Sequence, residues 1–488
     1  MTQEESTPAF VSIPDMRAIQ AGETVCVRVV VPGRKYQASM WYTPMPNMPW
    51  DSVMLDLAGQ TTGVSIPVDL KMVRDMRNTE RSSTHIYEAD VMLRDADSYV
   101  PTGWIEFRDA QWNPQNGLPL VDYNPEPLAI SPQLKVAVVD LGGKYSLDNY
   151  LKLPLCTEPN SEGRWIHQAD LPFNQTLVPA AENHGLVWLP YDCRLRPISY
   201  QEFAQCAQTQ YPRMHWFGDS NTRRMMKKIV SLGEWCGKPE EQTTKQCLCE
   251  DHGQPFGNFH TLQPDTIIDL DPESGGQMYA VHTMPSADFS NVPHNKSRIY
   301  MHRWAGLTNQ NRPPWHEALV ALNVSQKFGH PEMALVALSN WENAYSSNSQ
   351  FAMQMDLLLD LVDEQYSQNT ELYLRTGQYY CCRTDPSPIN TRHASRLRGF
   401  YFDDYIVDSF RHRFGSSHKI QVWDVAMLGE RLPLEVRKES FTCPSNHARA
   451  EMIDIENQVL FNAMCNQPEQ ASTASAPTLA SDLNKTRL

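Results

Sequence analysis

The stretch that decides the fold is Met214-His215-Trp216-Phe217-Gly218-Asp219-Ser220-Asn221-Thr222-Arg223-Arg224. Its first half is apolar and ends at a glycine and an acid. It hands over directly to Met225-Met226-Lys227-Lys228-Ile229-Val230, whose apolar positions recur at helical spacing. This predicts a strand-to-helix turn with Ser220 at the carboxyl edge of a sheet. A serine there projects its hydroxyl from the sheet edge, and its N–H lies among the donors that a helix start leaves unpaired, where a developing oxyanion is stabilised. An acyl-transferring nucleophile needs that geometry. The competing reading is that Asp219 or Ser220 simply caps the helix, which both residue types do well.

Outward from this turn the pattern alternates. Helices are expected over 198–208, 221–232 and 350–366, within 393–414 and over 451–464. Strands are expected at Met214–Phe217, Met333–Leu338, Glu371–Thr376 and Lys419–Asp424. Alternation of this kind predicts an α/β fold, a parallel sheet sandwiched by helices, with binding residues at strand ends. Before it, Thr24–Val31, Ser52–Leu57, Ile86–Leu93 and Gly103–Phe107 read as short strands with period-two alternation, and Gln133–Asp140 as a last one. They predict an all-β sandwich of immunoglobulin or filamin type over 9–140, whose plain role would be a spacer or docking module. The Pro-, Asn- and Gly-rich stretch 141–187 reads as an irregular linker, 188–465 as the α/β domain, and the Ser-, Thr-, Ala- and Pro-rich 466–488 as a disordered tail.

Two further strand ends carry polar groups. Ser339-Asn340-Trp341-Glu342-Asn343 follows the strand ending at Leu338, and the Asn340 amide could donate to an oxyanion. Cys443-Pro444-Ser445-Asn446-His447-Ala448 precedes the terminal helix and would return an imidazole to the sheet edge. A lone histidine is usually structural; three such groups in this order are much harder to dismiss as structural.

With Trp188, Pro190 and Cys193 ahead of the first strand, Gly218-Asp219-Ser220 and Arg223 after it, then Asn340 and His447, residues 185 to 465 resemble the SGNH (GDSL-like) hydrolase superfamily. Within it the likeness is to the PC-esterase group, which includes the trichome-birefringence-like, capsule-acetylation and NXPE proteins, and the sandwich ahead of it is similar to the NXPE architecture. The resemblance implies Ser220 as nucleophile and His447 as general base. It implies an oxyanion hole from the Ser220 N–H, Asn340 and a backbone N–H of a glycine, for which Gly306 is the candidate; a plain turn glycine is the alternative. Asp219 and Arg223 would hold the turn and helix. These families place an aspartate three residues before the histidine, where this chain has Pro444. Asp424 or a backbone carbonyl would replace it, or the site runs as a Ser-His dyad, or it has lost activity.

The implied activity is a serine-dependent esterase or O-acetyltransferase acting on carbohydrate hydroxyls, with no metal or organic cofactor. The rival is a catalytically degenerate glycan-binding or adhesion protein. Trp304, Trp315 and Trp341 would suit stacking on sugar rings, or simply core packing.

A net charge of -15 over 488 residues argues against a nucleic-acid partner. The basic pairs Arg223-Arg224 and Lys227-Lys228 are expected on a helix surface. The sequence shows no apolar run long enough for an anchor and no export signal, so membrane attachment would need an anchor outside it. The 11 cysteines, with sequons at Asn174, Asn295, Asn323 and Asn484, predict the secretory pathway lumen or the exterior, with the cytosol the alternative. The cysteines are expected to clamp loops as disulfides, with at least one left over. A zinc reading of Cys236, Cys247, Cys249 and His252 has the wrong spacing for a usual knuckle.

Overall fold

In Thr24–Val31 every second side chain, from Val25 to Val31, is buried, as a strand with one face on a core requires. The computed structural model describes residues 9–13, 18–32, 51–75, 84–107, 126–230, 233, 265–272, 281–283, 296–304, 306–307, 329–345, 348–379, 396–440 and 448–466. The first ten strands are β1 (Phe10–Ser12), β2 (Ile19–Gln20), β3 (Thr24–Val31), β4 (Ser52–Gly59), β5 (Ser65–Pro67), β6 (Lys71–Asp75), β7 (His85–Met92), β8 (Ser98–Phe107), β9 (Glu126–Pro127) and β10 (Val136–Val139). They form two sheets, β1-β3-β7-β6 and β2-β10-β8-β4-β5 with β9 on β8; among the described residues of these sheets only the β2–β10 pair is parallel. Val27, Val29, Val53, Leu55, Leu57 and Tyr87 fill the core they share. Each fully buried aliphatic side chain there contributes roughly 1.5–3 kcal/mol.

The strand β4 departs from alternation. All but one of its eight residues are buried, because Met54 and Asp56 alternate with the core-facing Val53, Leu55 and Leu57 and meet the second half of the chain.

Residues 141–187 are not irregular throughout. They contain β11 (Gly163–His167), which pairs antiparallel with β12 (Leu186–Pro190). This ribbon has two apolar faces. Ile166, Val187 and Leu189 enter the core of the β unit, while Trp165 and Trp188 enter a core of the α/β unit. The Trp165 indole N–H donates to the Leu428 carbonyl at 2.8 Å. Turn-forming residues flanking two five-residue strands conceal them in the composition.

The α/β unit is built on β13 (Arg213–Gly218), β14 (Asp265–Leu270), β15 (Val281–Thr283), β16 (Ser297–Arg303), β17 (Met333–Ala337), β18 (Glu371–Arg375) and β19 (Ile420–Trp423), in the order β15-β14-β16-β13-β17-β18-β19. The last five in that order are parallel, and β14 and β15 extend the β16 edge antiparallel. The helices are α1 (Tyr200–Gln210), α2 (Ser220–Val230), α3 (Asn340–Tyr345), α4 (Asn348–Gln365), α5 (Arg396–Phe414), α6 (Val425–Glu430), α7 (Leu434–Ser440) and α8 (Ala450–Cys465). They cover both sheet faces. Met333, Leu335 and Ala337 point into a core with α1, α2 and α8, and Ala334, Val336 and Leu338 into another with α4 and α5. Burial on both faces is why β17 reads as one continuous apolar run.

The helix α2 lies inside this packing, so its basic residues are not surface charges. Arg223, Arg224, Lys227 and Lys228 are all buried, and Lys228 pairs with Asp454 on α8 at 2.8 Å.

Disulfides join Cys156 to Cys193 and Cys206 to Cys465, the second fastening α1 to α8 across 259 residues of sequence. Among the described residues Cys26 is a free thiol. The disulfides fit an oxidising compartment, secretory or extracellular. Among the described residues no helix is long and apolar enough to cross a membrane. Cys236, Cys247, Cys249 and His252 lie outside the described residues.

Candidate functional site

Counted along the chain, the five parallel strands described in the α/β unit stand in the spatial order second, first, third, fourth, fifth. After β13 the chain moves to one side, and after β16 it returns to the other, so the carboxyl ends of β13 and β17 flank the switch point where open α/β sheets bind ligands. The Gly218-Asp219-Ser220 turn and the Ser339-Asn340 turn leave from those two ends.

Gly218 is required by close approach, since a Cβ there would lie 2.1 Å from Thr222 Oγ1 and 3.0 Å from Ala337 Cβ. Asp219 is the N-cap of α2. Its Oδ1 accepts the Asn221 N–H at 2.8 Å and its carbonyl accepts the Arg223 N–H at 3.1 Å. Ser220 is therefore the first residue of the helix, half-buried, while Asp219 and Arg223 are buried. Asp219 also reaches across the switch point, where its Oδ2 accepts the Asn340 amide at 2.7 Å. The Asn340 side-chain oxygen, Oδ1, accepts the backbone N–H of Gln378, which fixes the amide from both ends.

Ser339 adopts φ 80°, the one non-glycine in the left-handed region among the described residues. Such a conformation in a side-chain-bearing residue is held by its surroundings. Ser339-x-x-Glu342 has the spacing of a capping box, in which the acid reaches back to the start of its helix. Glu342 is wholly buried and its Oε1 accepts the Leu307 N–H at 2.7 Å. Burial pushes its carboxyl up to about 7, against the N–H groups of Leu307, Glu342 and Ser339, and the charge of Asp219 adds to the rise. Gly306 stands just before that contact with φ +77°, and a Cβ on it would fall 2.6 Å from Glu342 Oε1. Its segment follows the end of β16, where the Trp304 N–H donates to the Gly218 carbonyl at 3.0 Å. The structure thus brings together the turns carrying Ser220, Asn340 and Gly306.

Other expected residues fall elsewhere. Asp424 is the N-cap of α6. Its Oδ1 accepts from Met427 N–H at 3.1 Å and Thr376 Oγ1 at 3.2 Å, and burial raises its carboxyl. Among the described residues no hydrogen bond reaches its Oδ2. Trp304 is buried with its indole N–H on the Ala337 carbonyl at 2.9 Å, so it serves the core, whereas Trp341 is half-exposed. His447 and Trp315 lie outside the described residues. Ala448 is buried in the core beneath α8.

Sequence reading missed the groups that hold the site. Gln378 carries the Asn340 contact, and its own side chain is held by Glu456 of α8 at 2.8 Å and by Arg375 at 3.0 Å. Arg375 and Glu456 form a buried pair at 3.0 Å. Asp403, whose carboxyl burial raises well above the usual range, accepts the Gly377 N–H at 2.9 Å. It lines a small crevice with Ser339, Gly377, Tyr379 and Arg396.

Two of those crevice residues are held by the β unit. Arg396 is bonded through its backbone N–H to Glu106 at 3.1 Å, and through its guanidinium to the Val68 carbonyl at 3.1 Å, to Asp69 at 3.0 Å and to Glu430. Tyr379 accepts from Arg437 at 3.1 Å, and Arg437 pairs with Asp56 of β4 at 2.8 Å with both side chains buried. Burial alone would lower the Arg437 guanidinium; the charge of Asp56, the Tyr379 phenol and the hydrogen bonds to both together more than restore it. The β unit is therefore a buttress of this wall, not a detached spacer.

No protein-family model matches the chain, and no curated protein does.

Proposed function

We propose that this protein is a serine-dependent acyl esterase or O-acetyltransferase acting on carbohydrate hydroxyls. We read it as an SGNH-type, PC-esterase-like α/β domain behind an immunoglobulin- or filamin-like sandwich. One contact carries the reading. The Asp219 carboxylate caps the helix that begins at Ser220 and holds the Asn340 amide at 2.7 Å, so a hydroxyl and an amide from two distant strand ends share one anchor at the switch point. A flat structural role needs only the cap.

In the proposed reaction Ser220 Oγ attacks the ester carbonyl and its proton passes to His447. The tetrahedral oxyanion receives the Ser220 N–H, the other hydrogen of the Asn340 amide and the Gly306 N–H. His447 returns its proton to the departing alcohol, leaving acyl-Ser220, and water or a sugar hydroxyl then resolves the ester by the reverse sequence. Water gives an esterase; a sugar hydroxyl gives a transferase.

The test is hydrolysis of p-nitrophenyl acetate and labelling by a fluorophosphonate. Both should vanish in Ser220→Ala, and a polysaccharide acceptor should speed consumption of the acetyl donor if the protein is a transferase. Labelling absent from the wild type, or unchanged by the substitution, favours the glycan-binding alternative. One observation gives that alternative weight: Asp424, the candidate to orient the imidazole, already caps α6.

A further inference from the structure

The two donors that Asn340 and the Gly306 turn would offer an oxyanion come from segments 34 residues apart in sequence, as the numbering 306 and 340 gives. A shared reaction centre needs them at a fixed separation, and hydrogen bonds across that gap are the means of fixing it. One side chain sits at the joint. Glu342 lies in the first turn of α3, two residues after Asn340, and is fully buried. Its Oε1 holds the Leu307 N–H at 2.7 Å, and the positive φ of Gly306 brings that backbone against the carboxyl, where no Cβ would fit. A core position at this site would ordinarily take an apolar residue, because burying a carboxyl costs energy unless its bonds repay it. The acid sits where it ties the 306–307 segment to the start of α3.

We propose that Glu342 is a positioning residue for acyl transfer, setting the Gly306 segment against Asn340 so that both donors face one oxyanion. This rests on the reading of Ser220 as nucleophile. Glu342 touches no reacting atom; it acts through the backbone of residues 306 and 307. Glutamine keeps an oxygen at the Oε1 position and can accept the same N–H, whereas alanine cannot.

The test uses the full chain with p-nitrophenyl acetate, at a temperature where circular dichroism shows each variant folded. Glu342→Ala should lower kcat about 100-fold with KM within about threefold, the signature of a loss felt only in the transition state. Glu342→Gln should remain within about fivefold of wild type. Val27→Ala, in the core of the β unit, is the control for lost stability and should leave kcat unchanged. Amide exchange at Leu307 reads the same joint without turnover, and should speed at least about tenfold in the alanine variant only. A folded Glu342→Ala with wild-type kcat, or a glutamine variant as impaired as the alanine, overturns the proposal. So does Leu307 exchange that does not respond. A wild type inert toward the ester, or active without Ser220, instead sinks the acyl-transfer reading and this role with it, while leaving the exchange result as a separate finding about the joint.

Discussion

Asn340→Asp isolates the contact on which the site depends, because it changes no volume. Aspartate keeps an oxygen for the Gln378 N–H but turns the amide that donates to Asp219 into a second carboxylate oxygen. The lost bond is charge-assisted and worth about 1.5–3 kcal/mol. Two carboxylates at the observed 2.7 Å would repel by roughly 6 kcal/mol at an effective dielectric constant near 20. Taking up a proton is cheaper: at pH 7 it costs an ordinary aspartate about 4 kcal/mol and restores a bridging hydrogen bond. The variant should therefore be less stable than wild type by roughly 4 kcal/mol at neutral pH. Its native state then holds a proton that its unfolded chain lacks, so the deficit should shrink as pH falls, by about 1.4 kcal/mol per unit down to about pH 5. Urea unfolding of both proteins between pH 5 and 8 measures the difference directly. A deficit that is absent, or flat across that range, would mean that Asp219 and Asn340 are not joined.

Asp56→Asn should leave the Arg437 guanidinium buried beside a neutral partner and cost about 3–5 kcal/mol by urea unfolding, while Asp56→Leu with Arg437→Met should recover most of it. A single substitution costing under about 1 kcal/mol would show that the buried pair does not join the two units. For Glu342, the folded carboxyl near 7 lies above its ordinary 4.5, so the stabilising contribution is full below about pH 4.5 and is lost as pH rises through about 7. Glu342→Gln lacks that loss, so its stability relative to wild type should improve by roughly 3 kcal/mol between pH 4.5 and 8; no change across this range contradicts the burial of the acid.

Elements whose environment is uniform were legible in the chain. Met333–Leu338 reads as a strand because burial on both faces leaves no polar position, and β3 alternates because its two faces differ. The switch-point positions of Ser220 and Asn340 were legible for the same reason: each follows directly on such a strand. What was hidden depends on partners far along the chain. Lys228 looks like a surface lysine until Asp454, 226 residues later, is beside it. Asp424 reads equally as a catalytic acid or a helix cap, because one residue type serves both, and only its bonds to Thr376 and Met427 show the cap. The spacing Ser339-x-x-Glu342 did carry a signal for the buried acid, but a capping box predicts a helix start and says nothing of Leu307.

The ribbon of β11 and β12 has a consequence for how the molecule is inherited. A strand pair that lends Trp165 to one interior and Ile166 to the other belongs to neither half, and excising either half strips it bare. The front portion therefore cannot be traded for a homologue's by cutting at a convenient loop, and a thermal melt of the intact chain should show one cooperative step rather than two.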